Sequence, residues 1–155
     1  MTKIALSTVL DVPYENVPSL THRYLESFPS NECEGSYFTI RAWIAGVLLE
    51  REVILKAVPL VTEPRFAVME IRWHPISGPY PSFKGRLLAR RGDISSCRLE
   101  IEGEYAPPGG IVGAAFDAVL GHRIAEEGVM DLLDRFKSAF EAHDPVPGII
   151  GLCSS

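Results

Sequence analysis

Residues 97–105 alternate strictly between two kinds of side chain. The first set is apolar or small and consists of Cys97, Leu99, Ile101, Gly103 and Tyr105. The second set is charged and consists of Arg98, Glu100, Glu102 and Glu104. Because successive side chains of a strand point to opposite faces, this alternation predicts a strand with one face on a core and the other in water. Such strands are typical of antiparallel sheets.

The pattern changes from strand to helix directly after this segment. Two prolines and two glycines at residues 107–110 interrupt the sheet. From residue 111 to about 143, apolar residues recur at the spacing of a helix. A helix of that length would extend about 50 Å at 1.5 Å per residue. The chain is therefore predicted to end in one long helix that packs on a sheet.

Strand patterns also occur upstream, at residues 3–10, 37–44, 50–61, 65–74 and 82–90. Pro59 predicts a sheet edge or a strand end, because proline cannot donate to a strand ladder. Residues 13–28 are predicted to form one or two short helices, with Asn16 as a cap and Pro18 in the first turn.

Together these elements predict an α+β fold in one domain. Strands spaced this closely favour an antiparallel meander over βαβ units. The expected architecture is a curved antiparallel sheet of six to seven strands closed over the long C-terminal helix, with short helices after the first strand. The domain spans residues 1–143, and residues 144–155, which contain two prolines and two glycines, are expected to form an irregular tail.

Composition excludes several classes of partner. The net charge of -5 argues against a nucleic-acid surface, which needs clustered Lys and Arg. The three cysteines are odd in number and widely spaced, so neither a disulfide framework nor a zinc site is indicated. No apolar run reaches membrane-spanning length, and the first residues lack a signal-peptide pattern. We expect a cytoplasmic protein with no stable membrane insertion.

The sheet-facing side of the last helix is unusual in its small residues. At 100° per residue this face carries Ala114, Ala118, Gly121, Ala125, Gly128, Leu132, Phe136 and Ala139. A glycine inside a helix costs about 1 kcal/mol relative to alanine. The two glycines either allow a close approach of the sheet or leave room for a ligand. Gly85 and Gly103 on the strands have the same two interpretations, as sheet bends or as a cavity floor.

Phe116 and Leu120 lie outside this stripe. They are explained either by burial beneath the N-terminal helices or the loop of residues 75–81, or by a contact in a homodimer.

The sequence resembles the START-like helix-grip superfamily, which includes bacterial polyketide cyclases and dehydratases and coenzyme Q-binding proteins. The resemblance is carried by residues 103–113, by Asp117, by the helix that follows, and by Trp73 with residues 81–87. It implies a sheet wrapped around the last helix, with a cavity between them for lipids, quinones or polyketides. It supplies no universal catalytic motif, because the same fold hosts carriers, sensors and enzymes.

The residues expected to line that cavity face inward on the strands and on the last helix. They are Met69, Ile71, Trp73, Phe83, Leu99, Ile101, Tyr105, Ala118, Gly121 and Ala125. The leading hypothesis is binding of a hydrophobic small molecule by a carrier or sensor that has no cofactor. The alternatives are an enzyme of the polyketide cyclase or dehydratase type, which needs an inward acid or histidine, and a protein-interaction module.

The polar candidates each have a structural interpretation beside the functional one. The four histidines show no metal-ligand spacing, and Glu100, Glu102 and Glu104 are expected on the solvated face. Asp117 and Arg135 would either meet a ligand or form structural salt bridges. Trp73 and Tyr105 would either orient a ligand or bond the backbone from within the core.

Overall fold

A computed structural model describes residues 2–31, 34–76, 80–106 and 118–143 of the chain. The strands are β1 (Thr2–Leu10), β2 (Ser30–Asn31), β3 (Gly35–Ile44), β4 (Val47–Glu63), β5 (Phe66–Pro75), β6 (Ser82–Arg91) and β7 (Cys97–Ala106). A 3₁₀ turn (Tyr14–Asn16) leads into helix α1 (Val17–Glu26), and the long helix α2 is described over Ala118–His143.

The seven strands form one antiparallel curved sheet in the order β1-β7-β6-β5-β4-β3-β2. Each hairpin in the run from β3 to β7 joins neighbours, and β1 closes the other side by pairing with β7. The predicted α+β architecture is confirmed, including the number of strands and the short helices after β1. Residues 144–155 and the start of the predicted helix at 111–117 lie outside the described residues.

Helix α2 packs across the concave face of the sheet. Its buried stripe includes Gly121, Ala125, Gly128, Leu132 and Phe136, as the periodicity predicts. The buried arc is wider than that stripe, since Ile124, Val129, Leu133 and Phe140 are also buried. The helix contacts β3 on one side and β1 and β7 on the other, which accounts for the wider arc.

Two sequence signals have a local explanation in the structure. Pro59 lies in the part of β4 beyond Leu55 that pairs with β5 but not with β3, so the predicted edge is confirmed. A register shift between Pro59 and Val61 marks the same place. Asn16 precedes α1 as expected, but its side chain makes no capping hydrogen bond to the helix, so that part of the prediction is wrong.

A cluster of aromatic rings fixes one end of α2. Tyr24 from α1 makes edge contacts with Phe38, Phe136 and Phe140. The guanidinium of Arg135 lies 4.4 Å from the centre of the Phe38 ring and pairs with Asp131 at 3.4 Å. Arg135 therefore has a structural role, which was one of its two predicted interpretations. Asp117 lies outside the described residues.

Candidate functional site

The strand residues predicted to face inward lie together on the concave side of the sheet. Antiparallel pairing puts them in adjacent rows, with Trp73 opposite Phe83 and Phe83 opposite Tyr105. A further row contains Met69, Leu87 and Ile101. The predicted strand residues are each at most 5% exposed: Met69, Ile71, Trp73, Phe83, Leu99, Ile101 and Tyr105. The register thus confirms that they share a face, while their contact with a ligand stays a prediction.

Two of the predicted helix residues lie on the side of α2 that faces the sheet. Gly121 and Ala125 are buried in α2, and Ala118 is the first residue of α2 that the structure describes. Phe116 lies outside the described residues and Leu120 lies within α2, so the homodimer contact also stays a prediction.

Gly85 and Gly103 allow the backbones of β6 and β7 to approach each other closely. The two glycines face each other across β6 and β7. A Cβ on Gly85 would overlap the carbonyl oxygen of Glu102, and one on Gly103 would lie 2.8 Å from the ring of Phe83. Their missing side chains are therefore needed for close backbone approach and for the Phe83 ring, as glycine in a strand often indicates.

Trp73 and Phe83 form the centre of an apolar wall. Their rings stack with centroids 4.8 Å apart, and the indole N–H of Trp73 donates to the carbonyl of Pro81 at 3.1 Å. The polar atom of Trp73 is thus satisfied by backbone, which was the structural interpretation.

Tyr80 supplies a polar atom at one end of this wall. Its hydroxyl is buried and has no hydrogen-bond partner among the described residues. The hydroxyl lies 3.0 Å from the position of a Cβ on Gly128, and Trp73 Cζ2 lies 3.8 Å from that position. Burial raises the pKa of Tyr80 well above its ordinary value, with Asp131 adding to the rise and Arg51 opposing it. The group is therefore a neutral hydrogen-bond donor at physiological pH.

His122 supplies a second polar atom at the other end. Its ring centroid is 5.9 Å from that of Tyr105, and its Nδ1 atom is buried without a partner among the described residues. Its Nε2 atom lies 3.6 Å from a carboxylate oxygen of Glu126. A proton on Nε2 faces that carboxylate and leaves Nδ1 as an acceptor.

Contacts connect the side chains of Tyr80 and His122 through one row of buried rings. Tyr80 adjoins Gly128 and Trp73, Trp73 stacks on Phe83, and Phe83 pairs with Tyr105, which adjoins His122. An apolar wall with a few polar atoms at fixed places is the composition of small-molecule sites.

Sequence reasoning placed Tyr80 in a loop and found no role for His122. The available signals were a tyrosine between Pro79 and Pro81 directly before a strand, and a histidine beside Gly121 in the small-residue stripe. Neither pattern indicates burial without a partner, because that depends on which strands surround the side chain.

The carboxylates of β7 belong to the outer face. Glu100 pairs with Arg90 at 3.1 Å and Glu102 with Arg86 at 2.8 Å. Their predicted solvated position is confirmed. A crevice of about 290 Å³ lies on this side around Gly85 and Gly103, and it does not include the two unpartnered atoms.

Two classes of feature are missing from the described ranges. No group of three His, Cys, Asp or Glu side chains there could hold a metal ion. In the same ranges no helix is both long and apolar enough to cross a membrane.

No protein-family model matches the chain, and no curated protein is similar to it in sequence. Solved structures do resemble it. The Zhui aromatase/cyclase from Streptomyces sp. R1128 has a TM-score of 0.57 at 14% identity, covering 95% of this chain and 98% of that one. A conserved protein from Geobacillus kaustophilus has a TM-score of 0.55 at 15% identity, covering 92% and 98%. A protein from Thermus thermophilus has a TM-score of 0.53 at 14% identity, covering 93% and 100%.

These likenesses define the class of the protein by its fold. The chain has the helix-grip fold, in which a curved antiparallel sheet encloses a long C-terminal helix. The fold implied by the sequence resemblance is confirmed.

Proposed function

We propose that the protein binds a hydrophobic small molecule between the concave face of the sheet and helix α2. The molecule contacts the wall of Trp73, Phe83 and Tyr105 and accepts a hydrogen bond from Tyr80. His122 accepts a hydrogen bond from the same molecule. Gly121, Ala125 and the other small residues of the predicted lining bring the backbone of α2 close to it.

The observation that carries this proposal is the pair of buried, unpartnered atoms, Tyr80 Oη and His122 Nδ1. More than nine in ten buried polar groups in native proteins have a partner, and an unsatisfied one costs about 1–3 kcal/mol. Both atoms adjoin the same apolar wall, where a bound molecule with polar atoms would satisfy them. The helix-grip neighbours support the proposal only through their shared fold.

The first experiment is native mass spectrometry of the purified protein, followed by organic extraction and identification of anything released. A co-purifying lipid, quinone or polyketide would support the proposal and name the ligand class. Binding is then measured with 1-N-phenylnaphthylamine, a neutral apolar dye whose fluorescence rises in apolar sites. The two measurements together cover a ligand that is held tightly and one that is lost in purification.

Two variants on α2 test the location of the proposed binding site. Gly121→Leu adds a side chain on the buried stripe, and Ala142→Leu adds a comparable side chain at an exposed position of the same helix. We expect Gly121→Leu to weaken dye binding at least about tenfold and Ala142→Leu to leave it unchanged. Folded Gly121→Leu protein with unchanged affinity would place the site elsewhere. Ala125→Val, a smaller addition on the same buried stripe, repeats the test if Gly121→Leu does not fold.

A second candidate function is favoured by His122. A histidine with one nitrogen facing a carboxylate and the other unpartnered beside an apolar wall has the arrangement of a general base. Under this alternative the protein is a cyclase or dehydratase that folds a reactive chain against the wall. His122→Asn would then abolish cyclisation of a linear poly-β-ketone thioester mimic, a much larger loss than the weakening of dye binding expected from removing one hydrogen bond. Unchanged product formation in that variant would remove the enzyme alternative.

A further inference from the structure

One arginine lies among the apolar residues of β4 that face the concave side of the sheet. Residues Val53 and Leu55 are fully buried on this face, and Arg51 follows the same alternation. Arg51 pairs directly opposite Ile40 of β3, which is fully buried against α2. Because side chains of directly opposed residues lie on the same side of a sheet, the Arg51 side chain belongs to the concave face. It is exposed there.

Ile40 connects Arg51 to the unpartnered hydroxyl of Tyr80. Ile40 Cγ2 and Tyr80 Oη both lie 3.0 Å from the position of a Cβ on Gly128. Arg51 is paired with Ile40, and Ile40 lies beside the point where the Tyr80 hydroxyl contacts α2. Burial and the charge of Asp131 raise the pKa of Tyr80, and the charge of Arg51 opposes them less strongly.

Of the three arginines described around this place, Arg51 is the one without a carboxylate partner among the described residues. Arg41 pairs with Glu50 at 3.3 Å, and Arg135 pairs with Asp131 at 3.4 Å. Asp131 also accepts the backbone N–H of Arg41 at 3.1 Å, so its negative charge is already met by two donors.

Among the described residues, Arg51 itself bonds only the backbone carbonyl of Glu50, at 2.8 Å, and no carboxylate lies within 4.0 Å of it. A guanidinium has five N–H donors, so most of them remain for another acceptor.

We propose that the molecule bound at this site carries an anionic oxygen group that sits between the hydroxyl of Tyr80 and the guanidinium of Arg51. This inference rests on the function proposed above and names the class of ligand, an apolar body with a carboxylate or an equivalent anion at one end. Tyr80 donates one hydrogen bond to the anion, and Arg51 donates a charge-assisted one. The apolar body then extends along Trp73 and Phe83.

Two dyes with the same skeleton test the inference. 1-Anilinonaphthalene-8-sulfonate carries an anionic oxygen group, and 1-N-phenylnaphthylamine is its neutral counterpart. The variant Arg51→Met keeps the length of the side chain and removes the charge. Arg98→Met is its matched control, because Arg98 is exposed on the outer face of β7 and has no ion pair with a described residue.

We expect Arg51→Met to weaken binding of the anionic dye about tenfold or more, the effect of losing one charge-assisted hydrogen bond. Binding of the neutral dye should stay within about twofold, and Arg98→Met should change neither affinity. Tyr80→Phe should weaken the anionic dye more than the neutral one.

The outcomes separate the two proposals. If the neutral dye binds and the affinity for the anionic dye does not depend on Arg51, the anion inference is overturned while the proposed function stands. An equal loss in Arg51→Met and Arg98→Met also overturns it, because the effect would then come from net charge alone. If neither dye binds the wild-type protein and nothing co-purifies, the proposed function fails and the inference with it.

Discussion

The hydroxyl of Tyr80 occupies the space beside Gly128 that a side chain on the helix would need. It lies 3.0 Å from the position of a Cβ there, and Ile40 Cγ2 is equally close. A glycine inside a helix costs about 1 kcal/mol relative to alanine. The cost is explained by this contact, since any side chain at residue 128 would displace a buried polar group that faces the proposed site.

Gly128→Ala tests that relationship. We expect it to lower the free energy of unfolding by about 1 kcal/mol, because the overpacking penalty of roughly 1–3 kcal/mol exceeds the gain in helix propensity. The measurement is urea unfolding of the ligand-free protein. Ser138→Ala, at an exposed position of α2, is the control and should raise stability by a few tenths of a kcal/mol. Equal stabilisation by both variants would mean that Tyr80 and Ile40 move aside without cost.

Two tyrosine variants should change stability in opposite directions. Tyr80→Phe removes a buried hydroxyl without a partner, so it should stabilise the ligand-free protein by about 1 kcal/mol. Tyr14→Phe removes a hydroxyl that donates to the carbonyl of Pro64 at 2.6 Å, so it should destabilise the protein by about 1 kcal/mol. The denaturant midpoints of both variants, compared with that of the wild-type protein, measure these changes in stability. A destabilised Tyr80→Phe protein would mean that the hydroxyl has a structural partner.

The fold could be predicted because its strands and its long helix leave repeating patterns of apolar residues in the sequence. The alternation in residues 97–105 and the helical stripe that follows each fix which side is buried, since a one-residue slip would reverse every side chain. Leu99 and Ile101 are fully buried and Glu102 pairs on the outer face, as that pattern requires. The width of the buried arc of α2 could not be predicted, because it depends on the sheet contacting the helix from two sides.

The site was only partly predictable for a related reason. Trp73, Phe83 and Tyr105 follow from strand parity, but their order in one row depends on the pairing register. Tyr80 and His122 are significant because each has a buried atom without a partner, which is a property of the surrounding structure. Arg51 is visible in the sequence as one charged residue among the apolar residues of β4 that face inward. Its position beside the site could be recognised only from its pairing with Ile40.

The thiol of Cys97 should be protected until the protein unfolds. Cys97 is 2% exposed, and burial raises its pKa to about 11. In a Cys33→Ser, Cys153→Ser background, we expect a thiol reagent at pH 8 to label Cys97 only as fast as the native state opens. Rapid stoichiometric labelling of the native protein would contradict the burial of β7 at this residue.

The raised pKa of Cys97 determines whether stability rises or falls with pH. A thiol with a raised pKa in the folded state contributes stability that is present below the ordinary pKa of 9.0 and is lost as the pH rises through about 11. The wild-type protein should therefore lose more stability between pH 9 and 11 than Cys97→Ala does. Urea unfolding at several pH values measures the difference, and comparing the two proteins removes the contributions of lysine and tyrosine. Parallel curves would mean that the thiol titrates as an exposed one.

The two tryptophans provide a test of where a molecule binds. Trp73 is 2% exposed on the concave face, whereas Trp43 is 60% exposed on β3. Trp43→Phe leaves Trp73 as the donor, and Trp73→Phe leaves Trp43. Energy transfer to bound 1-N-phenylnaphthylamine should be stronger from Trp73, because the dye is proposed to lie against its ring and transfer falls steeply with distance. Trp73 emission should also lie at shorter wavelength in the free protein, since its indole is shielded from water. Stronger transfer from Trp43 would place the dye at the β3–β4 hairpin and exclude the wall of Trp73 and Phe83 as the binding surface.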